Sequence, residues 1–207
     1  MAAGYNNAAW FYDSLSRLVY GDALIKAQVY LLQLIPPNAN ILIVGGGTGW
    51  ILDEITKLYP LGLEIVYVEI AEKMMALSQK RNTGSNHITY ITGAIENVPI
   101  PGEFDVIITP FLFDNFLPHT LKEAYNRLHL LLKPNGLWLN TDFQLTGKWW
   151  QNVLLKSMFL FFKAISCVEA SKLPDIEHEF ARHNYRSLIR KTFFGDFILS
   201  TAYKKPM

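Results

Sequence analysis

The hydrophobic pattern of the chain alternates short, continuously apolar runs with longer amphipathic segments. The apolar runs are rich in isoleucine and valine, which is typical of parallel strands buried on both faces. Five runs predict strands, at 40–44, 63–68, 87–91, 104–109 and 137–140. Between them, apolar residues recur at helical spacing and predict helices over 50–59, 71–81 and 120–132. This alternation predicts an α/β fold with a mainly parallel sheet and helices on both of its faces.

The two ends of the chain depart from this alternation. Residues 5–34 carry a helical pattern that ends before a Pro-Pro pair, and residues 149–183 predict one or two helices joined near Leu173. Two strand-like runs, 187–194 and 197–203, flank a Gly-Asp pair and predict an antiparallel hairpin. Together with the five earlier strands, the hairpin completes a predicted seven-stranded sheet.

Composition narrows the function classes. With 207 residues and 50% hydrophobic content, the chain can bury one sizeable core. The formal net charge is only +1, whereas nucleic-acid binding usually requires a basic excess, so we expect no nucleic-acid partner. Cys167 is the single cysteine, which excludes an internal disulfide and a cysteine-based zinc site and favours a cytoplasmic setting. The most apolar stretch, 153–165, is too short and too charged to span a bilayer, so no transmembrane segment is expected.

The main chemical signal is a glycine loop, Gly45–Gly49, where the first predicted strand runs directly into a helix. Glycines allow a tight turn and a close approach to a ligand, and the helix N-terminus offers free N–H groups. A dinucleotide-binding fingerprint requires a small residue where this chain has Trp50. Glycines at 45, 47 and 49 instead fit a loop that holds the amino-acid end of S-adenosylmethionine. A plain strand-to-helix turn is the alternative interpretation.

An acidic residue follows at the tip of the second predicted strand. Glu69 comes twenty residues after Gly49, and the tips of neighbouring parallel strands face one crevice. Its carboxylate could therefore accept hydrogen bonds from both ribose hydroxyls of a nucleoside. Alone, the residue would equally suit the start of a helix, where acids are favourable. In combination with the glycine loop, the ribose role is favoured.

Four segments occur in the order and spacing of a known family, namely 45–49, 68–75, 93–106 and 131–136. They resemble the class I S-adenosylmethionine-dependent methyltransferases, most closely the branch that includes the ubiquinone/menaquinone-biosynthesis methyltransferases. The resemblance covers roughly residues 40–143 and implies a Rossmann-like methyltransferase fold with S-adenosylmethionine as cofactor. It implies cofactor contacts at Gly45, Gly46, Gly47, Gly49, Glu69, Ile70, Met74, Ala94, Ile95 and Pro110.

The same resemblance implies roles for the rest of a single domain over 1–207. Its expected parts are an N-terminal helical lid (1–37), a cofactor-binding core (40–143), a helical cap (147–184) and a terminal hairpin (185–205). The expected acceptor is a small, apolar or aromatic molecule, contacted by Tyr12, Phe111, Asp114 and Trp149.

Two acids are catalytic candidates within this framework. Asp114 and Asp142 could orient or deprotonate the acceptor, although Asp114 could equally cap a loop or helix. The apolar segment 149–163 could cap the acceptor pocket, form a homodimer contact or rest on a membrane surface. The sequence has no recognisable metal-binding motif, so no metal ion is predicted.

Two positions depart from the family pattern. Ile43 stands where an acid usually helps to hold the methionine amino group, and Ala94 stands where an acid often contacts the adenine amino group. At about 1.5–3 kcal/mol per charge-assisted hydrogen bond, losing both removes a few kcal/mol of gross polar contact. The backbone N–H groups of Ile95 and Glu96 could still contact the adenine edge. The alternative function is therefore a non-catalytic binding or interaction protein of the same fold.

Overall fold

Strands and helices alternate through most of the chain in a computed structural model that describes residues 18–166 and 172–207. The elements of the described part are α1 (Ala23–Leu32), β1 (Asn40–Val44), α2 (Trp50–Leu58), β2 (Leu61–Glu69), α3 (Glu72–Ser78), β3 (Ser85–Thr92), β4 (Phe104–Pro110), α4 (Pro118–Leu131), β5 (Leu132–Phe143), α5 (Trp149–Ser166), α6 (Ile176–Arg182), β6 (Arg186–Phe193) and β7 (Ile198–Lys204). A single 3₁₀ turn, Phe113–Asn115, lies between β4 and α4.

The seven strands form one sheet in the order β3-β2-β1-β4-β5-β7-β6. Strands β1 to β5 pair in parallel, and β7 is antiparallel to both β5 and β6. The predicted Rossmann-like fold with a terminal antiparallel hairpin is confirmed. Because parallel strands share one direction, the carboxyl ends of β1 to β5 meet at one edge of the sheet.

Apolar side chains of alternate residues fill the two faces of the sheet. On β1, Ile41 and Ile43 belong to the core cluster beneath α1 and α2, whereas Leu42 and Val44 belong to the cluster beneath α4 and α6. Trp138 on β5 is fully buried in the second cluster. Each large apolar side chain buried in this way contributes on the order of 1.5–3 kcal/mol of transfer free energy. The prediction of strands buried on both faces is therefore correct for β1.

The same prediction is wrong for β3, which lies at an edge of the sheet. Most of its residues are exposed or half-buried, because β2 is the one strand of the described ranges that pairs with it. An apolar run such as HITYI does not reveal whether a strand is central or peripheral. The order of the strands decides that.

Two predicted boundaries show the largest differences from the structure. The helical pattern over 5–34 is interrupted within its described part at Gly21, whose φ of 57° is left-handed, and α1 begins at Ala23. The predicted turn at 133–136 lies inside β5, which begins at Leu132 directly after α4. There the register of the β4–β5 pair shifts and Asn135 adopts a φ of 61°, so an irregular strand replaces the expected turn.

None of the helices in the described ranges is both long enough and apolar enough to cross a membrane.

Candidate active site

A cavity of about 480 Å³ opens at the carboxyl edge of the sheet. Each parallel strand supplies its last residue, or the residue after it, to the cavity wall. These residues are Val44, Glu69, Gly93, Pro110 and Phe143. This edge of an open α/β sheet is where such folds bind ligands.

The glycine loop forms one end of this cavity. Gly45 and Gly47 have φ values of 73° and 59°, which favour glycine. Gly46 is required for a different reason, since a Cβ atom there would lie 2.4 Å from the Tyr67 hydroxyl oxygen. Gly49 is the N-cap of α2, with a φ of 80°, and does not line the cavity. The backbone of the loop therefore faces the cavity without side chains in the way.

Arg81, which follows α3, supports the glycine loop. Its Nε donates to the Thr48 carbonyl oxygen (2.9 Å), Nη2 donates to Thr48 Oγ1 (3.2 Å), and Nη1 pairs with Asp53 on α2 (3.2 Å). Arg81 also lines the cavity. Sequence reasoning missed this residue, because the contact joins positions 33 residues apart and no local motif marks it.

Glu69 lies beside the loop, as the spacing of the strand tips predicts. Its carboxylate is buried and accepts hydrogen bonds from the backbone N–H groups of Gly47 (3.0 Å) and Ala71 (2.9 Å). Burial raises the pKa of Glu69, and these backbone donors oppose that rise by stabilising the ionised form. Ile70 and Met74 line the cavity next to it. A carboxylate can accept about four hydrogen bonds, so capacity for ligand hydroxyls remains.

The loop after β3 forms the adjoining wall, with Ala94, Ile95 and Glu96. Arg127 on α4 holds this loop from behind. Its guanidinium donates to the carbonyl oxygen of Glu96 (3.0 Å) and to that of Val98. Sequence reasoning missed Arg127 too, because only the packing of α4 brings it to the loop.

The other end of the cavity is lined by aromatic and apolar side chains. The Phe143 ring lies 4.9 Å from the Phe111 ring and 5.6 Å from the Tyr20 ring, centroid to centroid. Met158 on α5 accepts a hydrogen bond at sulfur from the Tyr20 hydroxyl (3.6 Å). Leu154, one turn earlier on α5, completes this wall. We call these five residues the apolar chamber.

A buried pair of carboxyl groups adjoins the apolar chamber. Asp114 lines the cavity, whereas Asp142 lies outside its lining and accepts hydrogen bonds from the backbone N–H groups of Phe113 (3.2 Å) and Phe143 (2.9 Å). Burial raises the pKa of Asp142 to about 7. Burial and the neighbouring charge of Asp142 raise the pKa of Asp114 well above its usual value. The pair therefore retains a proton under conditions where ordinary aspartates are ionised.

Some of the remaining predicted site residues line the cavity and others do not. The cavity lining includes Gly45, Gly46, Gly47, Pro110 and Phe111. Trp149 does not line it, because its side chain is 77% exposed at the start of α5. Tyr12 lies outside the described residues. Within 18–166 and 172–207, no group of three or more histidine, cysteine, aspartate or glutamate side chains is arranged to hold a metal ion.

Known proteins match this chain in sequence and in fold. A family model described as a methyltransferase domain matches residues 41–136. Malonyl-[acyl-carrier protein] O-methyltransferase of Bacillus cereus is 29% identical over 134 residues, covering 61% of this chain and 47% of the relative. The enzyme of the same name from Priestia megaterium is 30% identical over 146 residues, covering 67% and 49%. This chain thus spans about half the length of these curated relatives.

Among solved structures, the chain is similar to the 1,6-didemethyltoxoflavin-N1-methyltransferase of Burkholderia thailandensis, solved with 1,6-didemethyltoxoflavin and S-adenosylhomocysteine bound. The TM-score is 0.67 at 14% sequence identity, and the match covers 95% of this chain and 84% of the other. At this identity the likeness establishes a shared fold.

Proposed function

We propose that the protein transfers a methyl group from S-adenosylmethionine to a small, apolar or aromatic acceptor, since residues 41–136 match a family model described as a methyltransferase domain. The observation that carries the proposal is the continuity of the cavity. The glycine loop and the Glu69 carboxylate form one end, and the apolar chamber forms the other. A donor and an acceptor bound in one such cavity would be held in contact with each other.

The residues at the glycine end fit the cofactor. The loop presents backbone N–H groups and the N-terminus of α2, both of which favour the carboxylate of an amino acid. We assign the amino-acid end of S-adenosylmethionine to Gly45–Gly47 and the ribose hydroxyls to Glu69. Ile70, Met74, Ala94 and Ile95 would enclose the adenine, and Pro110 would lie beside the methyl group. Gly49 contributes as the left-handed N-cap that lets the loop turn.

The reaction places few chemical demands on the protein. The sulfonium methyl group of the cofactor is already electrophilic, so the chain mainly has to orient the acceptor and exclude water. The apolar chamber supplies the exclusion. The Asp114 carboxyl group, in the cavity wall beside the chamber, could donate or accept a proton. A general base is needed only if the methyl acceptor still holds its proton. Asp142 acts on Asp114 indirectly, by fixing the 3₁₀ turn that carries it.

A second acceptor class follows from the names of the curated relatives. A malonyl thioester presents a carboxylate, and binding a carboxylate normally requires a cation. In the described lining the cationic residue is Arg81, which lies at the glycine loop and is bonded to Thr48 and Asp53. This charge distribution supports an uncharged acceptor over a malonyl thioester. Membership of the ubiquinone/menaquinone branch stays a prediction that rests on motif resemblance.

Isothermal titration with S-adenosylmethionine and S-adenosylhomocysteine tests the cofactor assignment, and we expect micromolar binding of both. Transfer of radiolabelled methyl groups to a panel of phenols, N-heterocycles and acyl thioesters then tests the acceptor class. Transfer to neutral aromatic compounds supports the proposal, whereas transfer only to malonyl thioesters contradicts the acceptor class. Binding without transfer to any member would favour the non-catalytic alternative that Ile43 and Ala94 suggest.

A further inference from the structure

Gln28 is a buried polar residue on α1 that no sequence signal identifies. Its side chain is 7% exposed and lines the cavity together with Gly45–Gly47 and Trp50. The side-chain amide makes no hydrogen bond to any other residue in the described ranges. Buried polar groups in folded proteins are nearly always hydrogen-bonded, to protein, water or a ligand. Because the Gln28 amide lines the cavity and has no protein partner among the described residues, it is available to pair with a ligand bound there.

Helix α1 places Gln28 on the same side of the sheet as Ile43, the residue that departs from the family pattern. Leu31 and Leu32 of α1 belong to the same core cluster as Ile43, so α1 covers the sheet face to which the Ile43 side chain points. The preceding residue, Ala27, is fixed to β7 because its carbonyl oxygen accepts a hydrogen bond from Ser200 Oγ (2.7 Å). Gln28 thus reaches the cavity from the face where the family pattern would have an acid.

We propose that Gln28 binds the amino-acid end of S-adenosylmethionine, an inference that rests on the proposed function. Its Oε1 accepts a hydrogen bond from the methionine ammonium, while the cofactor carboxylate lies at the N–H groups of the glycine loop. A side-chain amide oxygen is a hydrogen-bond acceptor, as the carboxylate of the family pattern is. A neutral amide on α1 thereby replaces the acid that Ile43 removes from β1.

The proposal predicts a specific pattern of ligand affinities. S-adenosylhomocysteine contains the amino-acid end, whereas 5′-methylthioadenosine lacks it and retains the adenosine. Titration calorimetry with both ligands should show that Gln28→Leu lowers the affinity for S-adenosylhomocysteine about tenfold or more and leaves the affinity for 5′-methylthioadenosine unchanged. Gln28→Glu should bind S-adenosylhomocysteine at least as tightly as the wild type, because it restores a carboxylate opposite the ammonium. Gln33→Leu, an exposed substitution at the C-cap of the same helix, is the matched control and should change neither affinity.

Thermal unfolding without ligand separates binding from structure. Since the Gln28 amide has no partner among the described residues, Gln28→Leu should keep or raise the melting temperature. An unchanged affinity of Gln28→Leu for S-adenosylhomocysteine, or an equal loss for both ligands, contradicts the proposal. If Gln28→Leu does not fold, a tenfold weaker binding by Gln28→Glu contradicts it instead. A wild type that binds neither ligand would overturn the proposed function itself, so the two failures are distinguishable.

Discussion

Single buried residues at or beside the cavity make the stability of the protein depend on pH. Asp142, with a pKa of about 7, keeps its proton in the folded state at pH values where an unfolded aspartate has lost it. The folded state then binds more protons than the unfolded state, so the free energy of unfolding falls as pH rises from about 4 through about 7. Above that range the penalty is complete, because both states are ionised.

Asp114→Asn should reduce this loss of stability. The substitution removes a titrating group whose pKa is raised well above its usual value by burial and by the charge of Asp142, so the variant keeps only the contribution of Asp142. Between pH 5 and pH 8 we expect the wild type to lose about 1–3 kcal/mol more of its free energy of unfolding than the variant does. Urea denaturation at both pH values measures the difference. Asp22→Asn, at an exposed carboxyl, is the control, and a wild type and Asp114→Asn with parallel pH profiles would contradict the assignment.

Glu69→Gln should weaken binding of the adenosine half of the cofactor. The amide replaces one acceptor oxygen by a donor that opposes a backbone N–H, either that of Gly47 or that of Ala71. Because the ribose occurs in both ligands, calorimetry should show a loss of about tenfold or more for S-adenosylhomocysteine and for 5′-methylthioadenosine alike. Glu72→Gln, an exposed acid in the first turn of α3, should have no effect. A loss confined to S-adenosylhomocysteine would argue against the ribose role.

The sequence predicts those site residues that lie close to a motif. Gly45–Gly47 and Glu69 follow from strand tips and spacing, and the structure brings them together. Gln28, Arg81 and Arg127 could not be predicted in this way. Each reaches the site from a helix or a helix end, and its partner is decided by how that segment packs, which local sequence does not encode.

At the scale of elements, α5 presents two different faces. Leu154 and Met158 face the apolar chamber, whereas Trp149, Val153 and Leu160 are exposed. The expectation that this segment caps the acceptor pocket agrees with the placement of the first pair. The exposed residues leave the predicted homodimer contact and membrane contact as open predictions.

Met158→Trp should weaken binding of the acceptor and leave binding of the cofactor unchanged. The larger ring would occupy part of the apolar chamber, so the KM of the acceptor found in the transfer assay should rise about tenfold or more, while the affinity for S-adenosylhomocysteine stays within about twofold. Val153→Trp, on the exposed face of the same helix, is the matched control. Steady-state kinetics and calorimetry give the two quantities. Equal weakening of both ligands would mean that Met158 supports the whole cavity rather than the chamber.

Element boundaries follow from the sequence where local and tertiary preferences agree. The glycine at position 49 begins α2 where predicted, because its left-handed conformation and the apolar face of the helix require the same start. The Lys-Pro-Asn-Gly segment carries the local signature of a turn, yet pairing of Leu132 with Phe104 draws it into β5. Gly21 interrupts a continuous apolar pattern for which a single helix was the simplest interpretation.

At the scale of the whole molecule, a ligand in the cavity connects the ends of five strands. It should therefore stabilise the fold as a unit, by about 2.7 kcal/mol at a free concentration one hundred times its Kd. Thermal unfolding with S-adenosylhomocysteine should show a higher melting temperature, and NAD at the same concentration should leave it unchanged. A shift with NAD alone would instead support a nicotinamide-dependent enzyme, which Trp50 argues against.

The sequence predicts the seven strands of the sheet better than their arrangement. Apolar runs and the hairpin signal identify each strand, but the pairing of β5 with β7 joins residues about sixty positions apart and depends on the complete fold. The edge position of β3 and the central position of β4 follow from that order alone. Resemblance to a known family indicates the arrangement of the strands, which hydrophobic periodicity does not encode.

The packing of Gly46 against Tyr67 has a consequence for how related sequences can diverge. Gly46 lies outside the left-handed backbone region, and the Tyr67 ring, fully buried and bonded to the Gly47 carbonyl oxygen, occupies the space where a Cβ would be. The lack of room for a Cβ atom, and not the backbone conformation, therefore requires glycine at position 46. Across an alignment of relatives the two positions should covary, with alanine appearing at 46 only in lineages that have first acquired a smaller side chain at 67.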